Sequence, residues 1–357
     1  MNFLKRITSI FITLWGVVTV VFYLFSVLPG DPARMMLGQN ENQEELQLIQ
    51  QKYGFDQPIF IQYLNYLNDL SPISSHLQQH DFNGLSTQKY TYTTLLSIGE
   101  RSIVLKFPYL RESYLRSGVK VSQVIGNTLP NTAILAITAL LIAISFGLFF
   151  GILSAIYANS NLDRMIQLGS TLGMSLPSFF SAILVAWIFG FLLHQYTSLD
   201  MTGSLYALDD MGESYRIVWK NLILPAFVLG IRPLAVVSQL MRNSLLDEWN
   251  CGYVKTARAK GLSTSTIILK HMLKNALNPV ITALSGWFAS MLAGAVFVEY
   301  IFGWNGIGKE IVNALNFLDI PVLMGSVITI SFFFIIINQV VDLLYAYLDP
   351  KVQLNKY

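Results

Sequence analysis

Charge is scarce in this sequence. Only 12% of its 357 residues are Asp, Glu, Lys or Arg, whereas 53% are hydrophobic. A soluble domain carries about a quarter charged residues. So few charges cannot cover a water-exposed surface, and a membrane becomes the first environment to test. Cysteine is almost absent. Cys251 stands alone, which excludes an intrachain disulfide and a thiolate metal cage. Histidine is nearly as rare: His76, His80, His194 and His271 lie far apart and lack HExxH spacing, so no metal site is expected. The net charge of +2, with no concentrated basic patch, gives no reason to expect nucleic acid as a partner.

What the chain does have is apolar run length. A spanning helix needs about 20 mainly apolar residues. Six segments qualify, at 7–28, 130–157, 167–194, 222–240, 280–301 and 322–345, and an all-α polytopic fold is expected. Lys5 and Arg6 precede the first span as they would precede a secretory signal. Its apolar run is longer than the usual 7–15 residues or so and no small-residue cleavage site follows, so it reads as an uncleaved anchor. Gly147 with Gly151, and Gly169 with Gly173, form small-xxx-small faces that permit close helix packing. Pro177, Pro225 and Pro233 are expected to kink or break their helices.

Lysine and arginine set the orientation. With the N-terminus inside, the cytoplasmic side holds Lys5, Arg6, Arg164, Arg242, Lys255, Arg258, Lys260, Lys270, Lys274, Lys351 and Lys356. The short outer loops then hold Arg216, Lys220 and Lys309. Both termini are therefore expected in the cytoplasm.

The outer loop at 29–128 is too long to be a bare connection. Glu44, Glu45, Leu46, Ile49 and Tyr53 pattern as an amphipathic helix stopped at Gly54, and a second helix is expected over 58–70. The polar, aperiodic stretch 71–94 reads as a passive surface insertion.

Residues 243–278 form the largest cytoplasmic segment. Its sequence suggests a short helix, a turn at Gly261-Leu262-Ser263 and a second amphipathic helix. Ala257 and Gly261 are four apart, which offers a face of little bulk for another protein to approach, with Arg258 and Lys260 beside it. A plain basic loop obeying the positive-inside rule would also carry these charges.

Two features need a choice between readings. Gly303 to Lys309 fits G-x-x-x-x-G-K, but Glu310 follows where a phosphate loop needs Ser or Thr to hold magnesium. No strand precedes it, so it reads as a glycine-rich turn, and the chain is expected to bind no nucleotide or metal and to carry no catalytic residues. Arg232 lies within a span. Such a charge faces the protein interior or a wet cavity; it either lines a translocation cavity or snorkels or caps a broken helix.

Several segments together resemble the permease family of ATP-driven (ABC) peptide importers, of the dipeptide and oligopeptide first-subunit type. They are Leu28-Pro29-Gly30-Asp31-Pro32-Ala33, Tyr53 to Pro58 with Gln62-Tyr63-Leu64, Leu129-Pro130-Asn131-Thr132, Phe302 to Gly308, and Asp342 to Tyr345 with Leu348-Asp349-Pro350. To these is added Tyr253-Val254-Lys255-Thr256-Ala257-Arg258-Ala259-Lys260-Gly261-Leu262, which resembles the coupling segment, with Lys255 where arginine is common. The acidic residue of the general ABC pattern is absent from 255–261. The resemblance implies the type I importer permease fold in a bacterial inner membrane. It also implies a second permease, one or two ATPase partners that use ATP and magnesium, an external substrate-binding protein and a peptide cargo. Tyr253 and 255–262 would then dock on the ATPase. Related permeases carry nickel or glutathione. A proton-driven transporter is a rival, but it calls for acidic or histidine residues at mid-membrane depth and an internal repeat, neither of which is apparent. An intramembrane hydrolase would need a nucleophile and base at similar depth, and no such pair is apparent.

Overall fold

The computed structural model describes residues 3–26, 32–37, 42–77, 85, 89–208, 212 and 214–348. Its elements are α1 (Phe3–Ser26), α2 (Pro32–Leu37), α3 (Gln43–Tyr53), α4 (Ile59–Leu70), β1 (Ile73–Leu77), β2 (Tyr92–Ile98) and β3 (Arg101–Lys106). There follow α5 (Val121–Ile156), α6 (Asn161–Ser175), α7 (Ser178–Val185), α8 (His194–Thr197), β4 (Tyr206–Leu208), β5 (Tyr215–Ile217) and α9 (Lys220–Trp249). The chain continues through α10 (Gly252–Ala259), α11 (Thr264–Ile267), α12 (Leu273–Gly294), α13 (Val296–Phe302), α14 (Ile307–Asn316) and α15 (Ile320–Leu348). Wide π turns at Ala186–Leu192 and Ile268–Met272 extend α7 and precede α12.

Among the described residues, four helices are long and apolar enough to cross a membrane: Thr8–Ser26, Val121–Ile156, Lys220–Trp249 and Ile320–Val341. A bent pair, α6 with the helix Ser178–Leu192, supplies a fifth candidate if it counts as one span. Its halves meet at 111°. The break falls at Leu176-Pro177, where proline cannot continue the hydrogen-bond ladder. By contrast α9 runs unbroken through Pro225 and Pro233. The expected span 280–301 falls on α12 and α13, which meet at Ala295.

The chain divides into two compact units. One comprises Met1–Leu129 and Glu310–Phe332. Here Val18, Val21 and Phe22 of α1 pack with Tyr63 and Tyr66 of α4 and with Met324 and Ile328 of α15. Asn42 caps α3 by accepting the Glu44 N–H, and Gly54 ends it at φ 71°, a left-handed conformation that suits glycine. Asp319 accepts the Tyr114 N–H at 3.1 Å and the Ser113 hydroxyl, and Arg116 pairs with Glu310 at 2.7 Å.

This unit corrects the all-helical expectation. β1, β3 and β2 form an antiparallel sheet in that order, with Ile73 opposite Leu105 and Tyr92 opposite Lys106. The stretch 71–94, expected to be passive, supplies β1, the start of β2, and the buried side chains of His76 and Tyr90. Its pattern was illegible because the strand buries polar residues, Ser74 and His76, while Ile73 faces out. Parts of that stretch, 78–84 and 86–88, lie outside the described residues, as do Leu28 to Asp31 and Asp349-Pro350.

The other unit comprises Pro130–Lys309 and Phe333–Tyr357. Among its described residues are two apolar cores. One gathers Leu135 and Ala139 of α5, Ala182 of α7, Leu229 of α9, and Val298 and Phe302 of α13. The other gathers Val237, Met241 and Leu245 of α9 with Val254, Ile267, Met272 and Ala276. At Gly147 an added Cβ would lie 2.7 Å from Val237, and at Gly151 2.7 Å from Met241 and from the Ser238 carbonyl. That pair lets α5 and α9 meet backbone to backbone. Of Gly169 and Gly173 on α6, Gly173 alone makes room for α9, where an added Cβ would lie 2.9 Å from the Ile231 side chain.

Candidate coupling surface and membrane cavity

α10 is short because Gly252 opens it and Lys260 and Gly261 close it. The Gly261 N–H bonds the Arg258 carbonyl at 2.9 Å and the Leu262 N–H reaches back to Ala257 at 3.3 Å. Gly261 sits at φ 77°, and nothing described lies within 4 Å of a Cβ placed there. Its requirement is therefore conformational: a residue with a Cβ pays roughly 1 kcal/mol or more. Ser263 then caps α11 through the Thr266 N–H.

Val254 and Ala257 form the inner face of α10, packed into the core with Ile267 and Met272. Ala257 was expected to face a partner. It is 7% exposed because α10 has one apolar stripe, and that stripe is used by the chain's own core. The outward face is what remains: Tyr253, Lys255, Thr256, Arg258, Ala259 and Lys260, followed by exposed Gly261 and Leu262. Local contacts fix this face. The Tyr253 hydroxyl donates to Glu248 and accepts from Asn275 Nδ2 at 3.4 Å. The Arg258 guanidinium lies 4.3 Å from the Trp249 ring, and the Thr256 hydroxyl bonds the Gly252 carbonyl.

Sequence reading passed over a second cluster in this unit. Arg242 of α9 grips Asp163 of α6 through Nε and Nη2, both at 2.7 Å. Asp163 also accepts the Asn159 N–H at 2.8 Å and the Ser154 hydroxyl. Ser160 caps α6 on the Asp163 N–H. The Ser-x-x-Asp spacing of a capping box was the available signal.

Arg232 is exposed, and its Nη2 lies 3.4 Å from the Met174 carbonyl in the last turn of α6. A carbonyl there has lost its helical partner at the Pro177 break. Arg232 also lines a cavity of about 160 Å³ with Ser178, Ser181, Trp287, Ser290 and Met291. Capping and lining are compatible, because a guanidinium carries five N–H donors.

The glycine-rich turn after α13 has an internal occupant. Glu299, fully buried, accepts the Gly308 N–H at 2.7 Å and the Lys309 N–H at 3.3 Å through one carboxylate oxygen. Lys309 itself bonds the Gly303 carbonyl and Asn305. Trp304 Nε1 donates to the Asn131 carbonyl, Asn131 Nδ2 to the Asn305 carbonyl, and the Ile307 N–H to Thr132. Among the described residues no group of three or more His, Cys, Asp or Glu could hold a metal ion.

Comparison with known proteins adds findings of three kinds. Residues 147–354 match the family described as binding-protein-dependent transport system inner membrane component. Residues 1–93 match the N-terminal domain of such membrane components. Similar curated proteins include a glutathione transport system permease of Salmonella typhimurium, 32% identical over 350 residues and 98% of each chain. A dipeptide transport system permease of Alkalihalophilus pseudofirmus is 30% identical over 98% of each chain. A probable D,D-dipeptide transport system permease of Escherichia coli is 31% identical over 98% of this chain and 96% of that one. Among solved structures, a methionine ABC transporter in an inward-facing conformation matches with a TM-score of 0.50 at 15% identity. It covers 64% of this chain and 97% of the other, which is a likeness of fold.

Proposed function

This chain belongs to the family of binding-protein-dependent transport inner-membrane components, and from that premise we propose that it forms part of the path for short peptides in an ATP-driven importer. In this reading it crosses the membrane six times with both termini in the cytoplasm, which the distribution of lysine and arginine supports. A second permease completes the path, one or two ATPases drive it, and an external binding protein delivers cargo. ATP and magnesium are held by the ATPases.

The observation that carries the mechanism is the division of α10. Its apolar side is anchored to α9 and α12, while its cationic side is exposed. A helix held this way moves as one body with the helices behind it. A partner that grips Lys255, Arg258, Lys260 and Leu262 therefore pulls on α9 directly, and α9 carries Arg232 at the cavity. Alternating access follows if ATPase closure shifts α9 and α12, whose positions shape that cavity.

Glutathione is a second cargo reading, favoured by the 32% identity to glutathione permeases. It is itself a small peptide, so cavity chemistry of the same kind serves both. Nickel would need ligands of a different kind.

The coupling role is tested in the complete complex with Lys260→Glu and Ala259→Trp. Both residues face outward, so the fold of this chain should survive. The expected result is normal membrane insertion with ATPase co-purification and uptake reduced roughly tenfold or more. Normal ATPase binding and normal uptake in both variants would remove the lever from this loop.

A further inference from the structure

α4 opens with three consecutive exposed apolar side chains, Ile59, Phe60 and Ile61, and Leu64 adds a fourth one turn on. Phe60 and Leu64 are four apart and so share one stripe. A helix surrounded by water avoids such a run. No charge appears in α4 before Asp69 in its last turn, so nothing along the stripe draws it into water. The other sides of α4 are occupied. Tyr63 and Tyr66 pack with Phe22 of α1 and with Met324 and Ile328 of α15. On the polar side Asn68 exchanges hydrogen bonds with the Ser75 backbone at 3.0 and 3.2 Å. Asp69 accepts Arg111 Nε at 2.9 Å and the Tyr90 hydroxyl at 2.8 Å.

The contacts on α1 and α15 fix the level at which α4 sits. The apolar stretch Thr8–Ser26 has 19 residues. At about 1.5 Å per residue it is about 28 Å long, close to a hydrocarbon core of about 30 Å. Ser26, at the end leading towards α4, then marks one boundary. Phe22 and Thr19, which meet Tyr63, lie about 6 and 10 Å inside it. On α15 the stretch Ile320–Val341 has 22 residues, which also suffices to cross. Its contacts with α4, Met324 and Ile328, lie about 6 and 12 Å from the Ile320 end. Two separate helices thus give one depth. The hydroxyls at this level are paired. Thr19 donates its one hydrogen to the Trp15 carbonyl at 2.7 Å, so the Tyr63 hydroxyl donates to Thr19 at 2.6 Å. Such pairing suits a site without water.

We propose that α4 is an interfacial helix, sunk into one leaflet beside α1 and α15, with Phe60, Ile61 and Leu64 against lipid acyl chains. An amphipathic helix lying in an interface buries its apolar face about 5–10 Å below the headgroup boundary, which overlaps the depth set by the two spans. Asn68 and Asp69 then tie the three-stranded sheet to the membrane surface. The proposal rests on α1 and α15 crossing the membrane, as in the reading above.

The test uses the complete complex in nanodiscs of phosphatidylethanolamine and phosphatidylglycerol. Cys251→Ser first removes the native thiol. Phe60→Cys and Leu64→Cys are then labelled singly with a nitroxide; both positions are exposed, so the label should leave the packing intact. Collisions with oxygen, which concentrates in lipid, are compared with collisions with a water-soluble nickel chelate. Both labels should be open to oxygen, shielded from nickel and at a depth of about 5–10 Å. Glu45→Cys, exposed on α3, is the reference for water and should be open to nickel. Val20→Cys, exposed on α1, tests the premise. Nickel reaching Val20 would remove the span and this proposal with it. Nickel reaching Phe60 and Leu64 while Val20 stays shielded would overturn the proposal alone. Labels shielded from both oxygen and nickel would overturn it as well, because a docked protein would then cover the face.

Discussion

Replacing Arg242 by leucine should destabilise the second unit more than any surface substitution. Asp163 is 4% exposed at its side chain and Arg242 19%, and two N–H groups reach the carboxylate at 2.7 Å. Breaking a buried pair from one side costs about 3–5 kcal/mol, because the remaining charge is stranded. Two donors would still serve Asp163, the Asn159 N–H and the Ser154 hydroxyl. They place the expected cost near the lower end, about 3 kcal/mol. At roughly 2–4 °C per kcal/mol, the thermal midpoint in detergent should fall by roughly 6–12 °C. Adding Asp163→Asn removes the stranded charge, keeps an oxygen for the Asn159 N–H and turns its NH2 to the Ser154 hydroxyl, which can accept as well as donate. The double variant should therefore recover about 2 kcal/mol relative to Arg242→Leu alone. A shift below about 2 °C for the single variant, or no recovery in the double, would refute the reasoning.

Gly151→Leu should lower the thermal midpoint through overpacking of about 1–3 kcal/mol, because its Cβ would meet Met241 and Ser238 at 2.7 Å. Gly169→Leu serves as the control, since nothing described lies within 4 Å of its Cβ position. In the first unit, burial pushes the Lys106 ammonium down to about 8 from 10.5. Between those values the unfolded chain holds more protons than the folded one, so stability should rise with pH there, and the penalty is fully present below that window. Lys106→Met should abolish the rise, read by hydrogen exchange of β1 to β3 between pH 8 and pH 10. The upper limit is set by the tyrosines. Burial pushes Tyr114 up to about 12 from 10.0, so above the ordinary value the folded state holds the extra proton and stability falls with pH. An unchanged slope in Lys106→Met would show that other groups cause it.

Legibility followed the strength of each local signal. The helix over 43–53 could be read because its acidic first turn, amphipathic spacing and stop glycine all agree. Pro177 was placed correctly as a break. Pro225 and Pro233 do not break α9, which runs on through both while packed on α5 and α12. A sequence gives the spacing of Ala257 and Gly261 but not which side of α10 meets the core. Both small residues looked alike, yet one is small for packing and the other for its backbone angle. The outer sheet was hidden because strand recognition relies on an apolar inward face, and this one is polar. The Asp163–Arg242 pair joins residues 79 apart, beyond the reach of any periodicity.

The glycine-rich turn at 303–308 explains how a near match to a phosphate loop can arise without nucleotide. Backbone N–H groups at a helix start attract an anion whatever its source. In a phosphate loop the anion comes with the ligand. Here the acceptor is the Glu299 carboxyl, delivered from α13 by the chain itself. A Cβ at Gly306 would fall 2.3 Å from the carboxylate, and one at Gly308 would fall 2.5 Å from the backbone of Val296. Glycine is therefore needed at both positions for close approach, the same reason it is needed around a phosphate. The lysine no longer reaches for an anion and instead closes the turn on Gly303 and Asn305. Trp304, Asn305 and Ile307 then bond to Asn131 and Thr132. The two segments at 129–132 and 302–308, recognised separately along the chain, are thus two sides of one contact. Their joint presence carries more structural information than either motif alone, because each supplies the hydrogen-bond partners that the other would otherwise leave buried and unmet.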